Sequence, residues 1–125
     1  LKISPVNRKV LFVYARGAGS LQVAGKGTAL TKMIELAGGT NAVDFDNFKP
    51  LTSESLVAAN PDVIVLFDSG LKSVGGPEGF LQVPGVSLTN AGKNKKIVSM
   101  DGAMLSGFGL RLPQAIAELN QKIKS

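Results

Sequence analysis

Gly25, Lys26, Gly27 and Thr28 are the residues whose spacing comes nearest to a phosphate cradle. A phosphate loop needs G-x-x-x-x-G-K-[ST], with the hydroxyl after the lysine holding magnesium. Here Gly27 follows Lys26, and Ser20 stands at the first glycine position. The dinucleotide pattern G-x-G-x-x-G fails as well, because Gly17 and Gly19 are followed by Gln22. A nucleotide-phosphate-binding enzyme is therefore a remote alternative. The chain has no histidine, no cysteine and no G-x-S-x-G elbow. That removes the commonest general base and metal ligand, the thiol nucleophile, thiolate metal sites and disulfides. Asp44, Asp46, Asp68 and Asp101 stand near strand ends, and Asp68 and Asp101 could share one edge of a sheet. Cap and loop hydrogen bonds explain such acids more simply. No catalytic residue is assigned. Tyr14, the only tyrosine, lies within an apolar run and reads as core, as do Met33 and Met100. Arg16 and Arg111 flank glycine-bearing segments, where a guanidinium can hold a carboxylate by two parallel hydrogen bonds. Met104 and Phe108 belong to the second of those segments.

These residues must be positioned by the elements around them. Val10–Ala15, Val63–Phe67 and Ile97–Met100 are short apolar runs, the pattern of strands buried on both faces of a parallel sheet. Between them lie helical patterns. The first starts at Thr28, carries Leu30, Met33, Ile34 and Ala37 on one face, and stops at Gly38-Gly39. The second is capped by Thr52 or Ser53, has Glu54 in its first turn and ends at Asn60-Pro61. Residues 41–45 read as a short strand or extended connection, 68–79 as a loop, and 78–92 as helical turns broken by Pro84-Gly85. A terminal helix from Leu112 presents Ala115, Ile116, Leu119 and Ile123 on the face of Leu112. Strands alternating with helices predict an α/β fold, three layers with a mostly parallel central sheet flanked by helices. Glycine-bearing segments follow the strands at 16–27, 68–79 and 102–111. In an open parallel sheet they gather at the carboxyl edge, where ligands bind.

At 125 residues the chain is long enough for one core. The net charge of +5 is spread over scattered lysines, apart from Lys93, Lys95 and Lys96, which suit a solvated turn before a strand. With one tyrosine and no tryptophan, nucleic acid is not expected as a partner. A basic balance also suits an acidic small ligand. No apolar run approaches the ~20 residues of a membrane helix, and no signal sequence is read in this chain.

Six pieces taken together resemble one family. They are V-A-G-K-G-T at 23–28, L-A-G-G-T-N-A at 36–42, K-P-L-T-S-E-S-L at 49–56, N-P-D-V-I-V at 60–65, G-L-K-S-V-G-G at 70–76 and G-F-G-L-R-L-P at 107–113. They are similar to the C-terminal lobe of bacterial haem-binding periplasmic proteins, the substrate-binding components of haem ABC importers. The wider class also binds vitamin B12 (a corrinoid) and ferric siderophores. The resemblance implies two α/β lobes joined by a rigid helix, with haem between them. Residues 1–8 would then be the end of the interlobe linker and 9–125 the C-terminal lobe. It implies a non-enzymatic, periplasmic or lipoprotein component that hands haem to a membrane permease, with the axial ligand on the other lobe and no metal ligand here. By motif position, Glu54 matches the carboxylate that docks on the permease. Arg111 matches a cleft arginine that meets a haem propionate or the axial tyrosine, although Leu110 replaces the proline of the family pattern. Gln22, Val23, Lys26, Leu71, Ser73, Met104 and Phe108 would line the pocket.

Overall fold

A computed structural model describes residues 8–15, 21–25, 34–36, 38–43, 48–100 and 112–124, the side chains of the last segment over 117–123. Strand β1 (Lys9–Ala15) is the centre of the sheet. Around it lie β2 (Leu21–Ala24), β3 (Thr40–Asn41), β4 (Phe48–Pro50), β5 (Val63–Phe67) and β6 (Ile97–Met100), in the order β4-β2-β1-β5-β6, with β3 also against β1. β1 pairs parallel with β5, Val10 opposite Val63 and Phe12 opposite Val65, and β5 pairs parallel with β6. β2 runs antiparallel to both β1 and β4.

The pleat divides the apolar runs between two cores, because successive side chains leave a strand on opposite faces. Val10 and Phe12, with Val63 and Val65, pack against Ile34, Leu119 and Ile123 on one face. Leu11 and Val13, with Ile64 and Leu66, pack on the other against Leu56, Leu71, Phe80, Val86 and Ala91. Both faces are covered, so the continuous apolar sequence of β1 and β5 has the physical cause expected of it.

The helices begin and end on local chemistry. Residues 34–36 close with Gly38 at φ +90°. Its N–H donates to the Glu35 carbonyl and that of Gly39 to the Ile34 carbonyl, both at 3.0 Å. That pair of bonds ends a helix on a left-handed residue, which glycine adopts without steric cost. Helix α1 (Ser53–Ala59) is capped by Thr52, whose Oγ1 accepts from the Ser55 N–H at 3.0 Å while Ser55 Oγ accepts from the Thr52 N–H at 3.1 Å. Asn60 ends it in the left-handed region at φ +42°. Helix α5 (Leu112–Lys124) is tied to β6 by Lys122, whose Nζ donates to the Ser99 carbonyl.

The N-P-D sequence after α1 is a three-way junction. Asn60 Oδ1 accepts from the Asn90 N–H at 2.9 Å, and the Pro61 carbonyl accepts from the Ala91 N–H at 2.9 Å. Asp62 Oδ2 accepts from the Lys9 N–H at 3.0 Å, and its Oδ1 from Asn90 Nδ2 at 3.0 Å. The acid therefore joins the start of β1 to the start of β5 and to helix α4 (Asn90–Lys93). The backbone hydrogen bond from Lys9 holds its pKa below the ordinary 3.8, with Asn90 and the charges of Lys9 and Arg8 acting in the same direction against the cost of burial.

Two expectations change. Residues 68–79 are not one loop: α2 (Asp68–Ser73) and α3 (Gly76–Phe80) occupy them, joined through Gly75 and Gly76 at φ +96° and +79°. Leu71 and Phe80 anchor these turns in the core, so burial overrides the weak helix propensity of the glycines. Residues 16–27 are not continuous loop either, because 21–24 form β2. Four residues that pair with the preceding strand on one side and with β4 on the other carry almost no local signal. Of the described residues within 41–45, Asn41 alone is strand, as the second residue of β3. The helical pattern at 28–33 and 37 and the glycine-bearing segment at 102–111 lie outside the described residues. The turns of 81–92 agree with expectation, including a 3₁₀ turn at Val86–Leu88 after Gly85. Lys93 and Lys95 are exposed in the turn before β6, and Lys96 is half-buried.

Candidate ligand-binding site

The carboxyl ends of β1 and β5 open into a cleft of about 330 Å³, lined by Tyr14, Ala15, Phe67, Ser69, Gly70 and Ser73. Gly70 allows α2 to sit against the end of β1: a Cβ there would lie 3.2 Å from the Ala15 carbonyl oxygen. Ser73 Oγ turns back onto its own helix and donates to the Gly70 carbonyl at 2.6 Å. The floor is aromatic. Phe67 meets the buried Phe12 edge-to-face, with centroids 4.9 Å apart and planes at 68°. Tyr14 stands edge-on to Phe67 at 6.5 Å and to Phe48 at 6.3 Å. Such perpendicular pairs favour the ring quadrupoles and hold each ring in one pose.

Tyr14 is thus not a core residue. It is the last residue but one of β1, half-buried, at the mouth of the cleft. The alternation along β1 that buries Phe12 under α5 carries Tyr14 one pleat beyond the helical cover. Gln22 lies directly opposite Tyr14 in the β1–β2 ladder, so it shares that face, and it is exposed. Ser73 lines the cleft. Val23 and Leu71 do not line it: they are 1% and 7% exposed and belong to the core under the opposite face. Val23 pairs with Val13 and follows its pleat, and Leu71 is the residue that anchors α2. Lys26, Met104, Phe108 and Arg111 lie outside the described residues. Glu54 is exposed in the first turn of α1, whose Leu56 packs in the core of the opposite face.

Sequence reasoning missed Tyr14, Phe67, Ser69 and Gly70 as cleft residues. A signal was present: each stands within three residues of the end of an apolar run, at the edge where ligands bind in open α/β sheets. Among the described residues, no cluster of three or more acidic side chains could hold a metal ion. No described helix is long and apolar enough to cross a membrane.

A three-layer α/β sheet with its cleft at the carboxyl edge is the architecture of a ligand-binding lobe. Residues 2–104 match the family model described as periplasmic binding protein, and the chain belongs to that family. Its fold superimposes on the periplasmic heme-binding protein BhuT, solved with two hemes, at a TM-score of 0.88 and 44% identity over 94% of this chain and 44% of that one. The periplasmic heme-binding protein RhuT of Roseiflexus sp. RS-1, solved in apo form, gives a TM-score of 0.88 and 43% identity over 97% of this chain and 46% of that one. A curated relative, the uncharacterized ABC transporter substrate-binding lipoprotein YvrC of Bacillus subtilis, is 27% identical over 97% of this chain and 37% of its own length. The chain thus spans less than half the length of these relatives. By their names they are binding proteins, and the family is extracytoplasmic.

Proposed function

We propose that this chain is the C-terminal lobe of a haem-binding protein and forms one wall of an interlobe cleft from which haem passes to an ABC permease. In this reading residues 9–125 are the lobe and 1–8 the end of the linker. The observation that carries it is the cleft at the carboxyl ends of β1 and β5, floored by aromatic rings and rimmed by Ser69 and Ser73. An apolar floor with a few polar groups at its rim suits a flat, largely apolar ligand. The likeness to two heme-binding proteins over nearly all of this chain supports haem as cargo.

The roles follow from chemistry. Arg111 would pair with a haem propionate, since a guanidinium and a carboxylate form two parallel charge-assisted hydrogen bonds. Lys26, Met104 and Phe108 would complete the wall. The axial ligand would come from the other lobe, so the work of this lobe is capture and release, without catalysis. Glu54 would meet a basic side chain of the permease, a rim ion pair that steers encounter more than it adds affinity. The protein would act in the periplasm or as an extracytoplasmic lipoprotein.

Absorbance titration of the full protein with hemin, in competition with cobalamin and a ferric siderophore, tests the cargo. Hemin should bind tightest; displacement of hemin by either competitor at equal concentration would overturn the assignment. The 125-residue chain alone should bind hemin weakly, because half of the contacts are missing. A tight tyrosinate-type spectrum from it would move the axial ligand into this lobe.

A further inference from the structure

Phe48, Tyr14 and Phe67 come from three strands, yet their rings meet in a chain on one face of the sheet: Tyr14 is in line with Gln22 and Pro50, and Phe48, in line with Ala24, reaches Tyr14 diagonally. Phe67 on β5 adjoins Tyr14 on β1, and Tyr14 adjoins Phe48 on the edge strand β4, with ring planes at 88° and 71°. Between β1 and β4 lies β2, whose Ala24 pairs with Phe48. A methyl side chain there leaves the space across which Phe48 reaches Tyr14. The ring centroids are 6.5 Å apart from Phe67 to Tyr14 and 6.3 Å apart from Tyr14 to Phe48. Burial falls along the row: Phe67 leans on the fully buried Phe12, Tyr14 is half-buried, and Phe48 is 44% exposed.

An exposed phenylalanine on a three-residue edge strand contributes little to a core. Its position as the outer end of an aromatic row that enters a cleft calls for a ligand. We propose that Phe48, Tyr14 and Phe67 are the specificity-determining surface of this lobe, against which a planar tetrapyrrole lays one face; the inference rests on the haem-lobe reading above and selects within it. A flat conjugated ring can meet several perpendicular aromatic rings at once by offset and edge contacts. A corrinoid has a puckered ring with groups projecting from both faces of its metal. A ferric siderophore is rounded and offers no flat face. Either would touch one ring of the row at a time. The row therefore discriminates by shape, and it acts on the macrocycle and not on the iron.

The test uses metal-free protoporphyrin IX beside hemin, with cyanocobalamin as the non-planar control, titrated into the full protein and its variants. Phe48→Ala and Tyr14→Leu should each weaken protoporphyrin IX and hemin in parallel by about three- to tenfold, the strength of one lost aromatic contact. Tyr14→Phe keeps the ring and should recover the protoporphyrin IX affinity that Tyr14→Leu loses. Phe48 is an exposed edge residue, so its variant keeps the fold and isolates the contact. Unchanged protoporphyrin IX affinity in both Phe48→Ala and Tyr14→Leu would overturn the inference while leaving the haem reading standing. Loss of hemin but not protoporphyrin IX in Tyr14→Phe would make Tyr14 an iron ligand and overturn it too. Failure of the wild-type protein to bind either porphyrin would refute both readings.

Discussion

Asp62→Ala should destabilise the protein in a way that fades at low pH. The acid accepts two hydrogen bonds at 3.0 Å, from the Lys9 N–H and from Asn90 Nδ2, and with them joins β1, β5 and α4. A hydrogen bond to a charged group contributes about 1.5–3 kcal/mol when well buried. Asp62 is half-buried, so solvent screening reduces that figure, and about 2 kcal/mol for the pair is expected. For a chain of this size that corresponds to a fall in Tm of roughly 6–10 °C. The sign of the pH effect follows from the depressed pKa. The stabilisation is fully present above the unfolded value near 3.8 and disappears as the pH falls through the lower folded value. Thermal unfolding followed by circular dichroism at pH 7 and at pH 2.5 should show a wide gap between wild type and variant at pH 7 and a narrower one in acid. An equal gap at both pH values would refute the role of the charge, and no gap at pH 7 would refute the junction itself. The site depends on this junction, because the register it sets between β1 and β5 brings Tyr14 beside Phe67.

Thr89→Val should cost about 2–3 kcal/mol, read as a lower urea midpoint with an unchanged slope. Thr89 is fully buried, and its Oγ1 both donates to the Val86 carbonyl at 2.7 Å and accepts from the Gly92 N–H at 3.0 Å; valine keeps the shape and orphans the buried Gly92 N–H, while the Val86 carbonyl keeps the Thr89 N–H at 3.1 Å. Glu54→Ala in the full protein should leave hemin affinity within twofold and reduce permease-coupled uptake in reconstituted vesicles; equal losses in both would refute a docking role. Its exposed position in the first turn of α1 makes a loss of stability beyond about 0.5 kcal/mol unexpected.

The helix punctuation was legible in particular residues. Gly38-Gly39 as a stop, Asn60-Pro61 as an end, and a cap at Thr52 or Ser53 all act through bonds within a few residues, and the structure chose Thr52. Its partner Ser55 supplies the reciprocal hydrogen bond that Ser53 has no residue to match. The cleft was legible as a place but not as a set of residues. Of the residues that the resemblance assigns to the pocket, Ser73 lies in the cleft and Gln22 stands opposite Tyr14, whereas Val23 and Leu71 are buried in the core of the other face. A one-residue step along a strand reverses the face, so adjacency in sequence says little about adjacency in a cleft.

The amino-acid sequence by itself determined the alternation of strands and helices, the burial of β1 and β5 on both faces, the edge at which the cleft opens, and the family. Each of these rests on local patterns: apolar periodicity, caps, and short motifs. Only the tertiary structure decided which residue of each strand end faces the cleft, that β2 and β4 extend the sheet antiparallel, and that Phe48, Tyr14 and Phe67 meet. Those outcomes depend on strand register between segments as distant as Tyr14 and Phe67, and register is set by long-range pairing and shared packing, which no local window contains. The short strands β2 and β4 exist because β1 offers β2 an edge and β2 in turn offers one to β4, and those edges exist only once the sheet has formed.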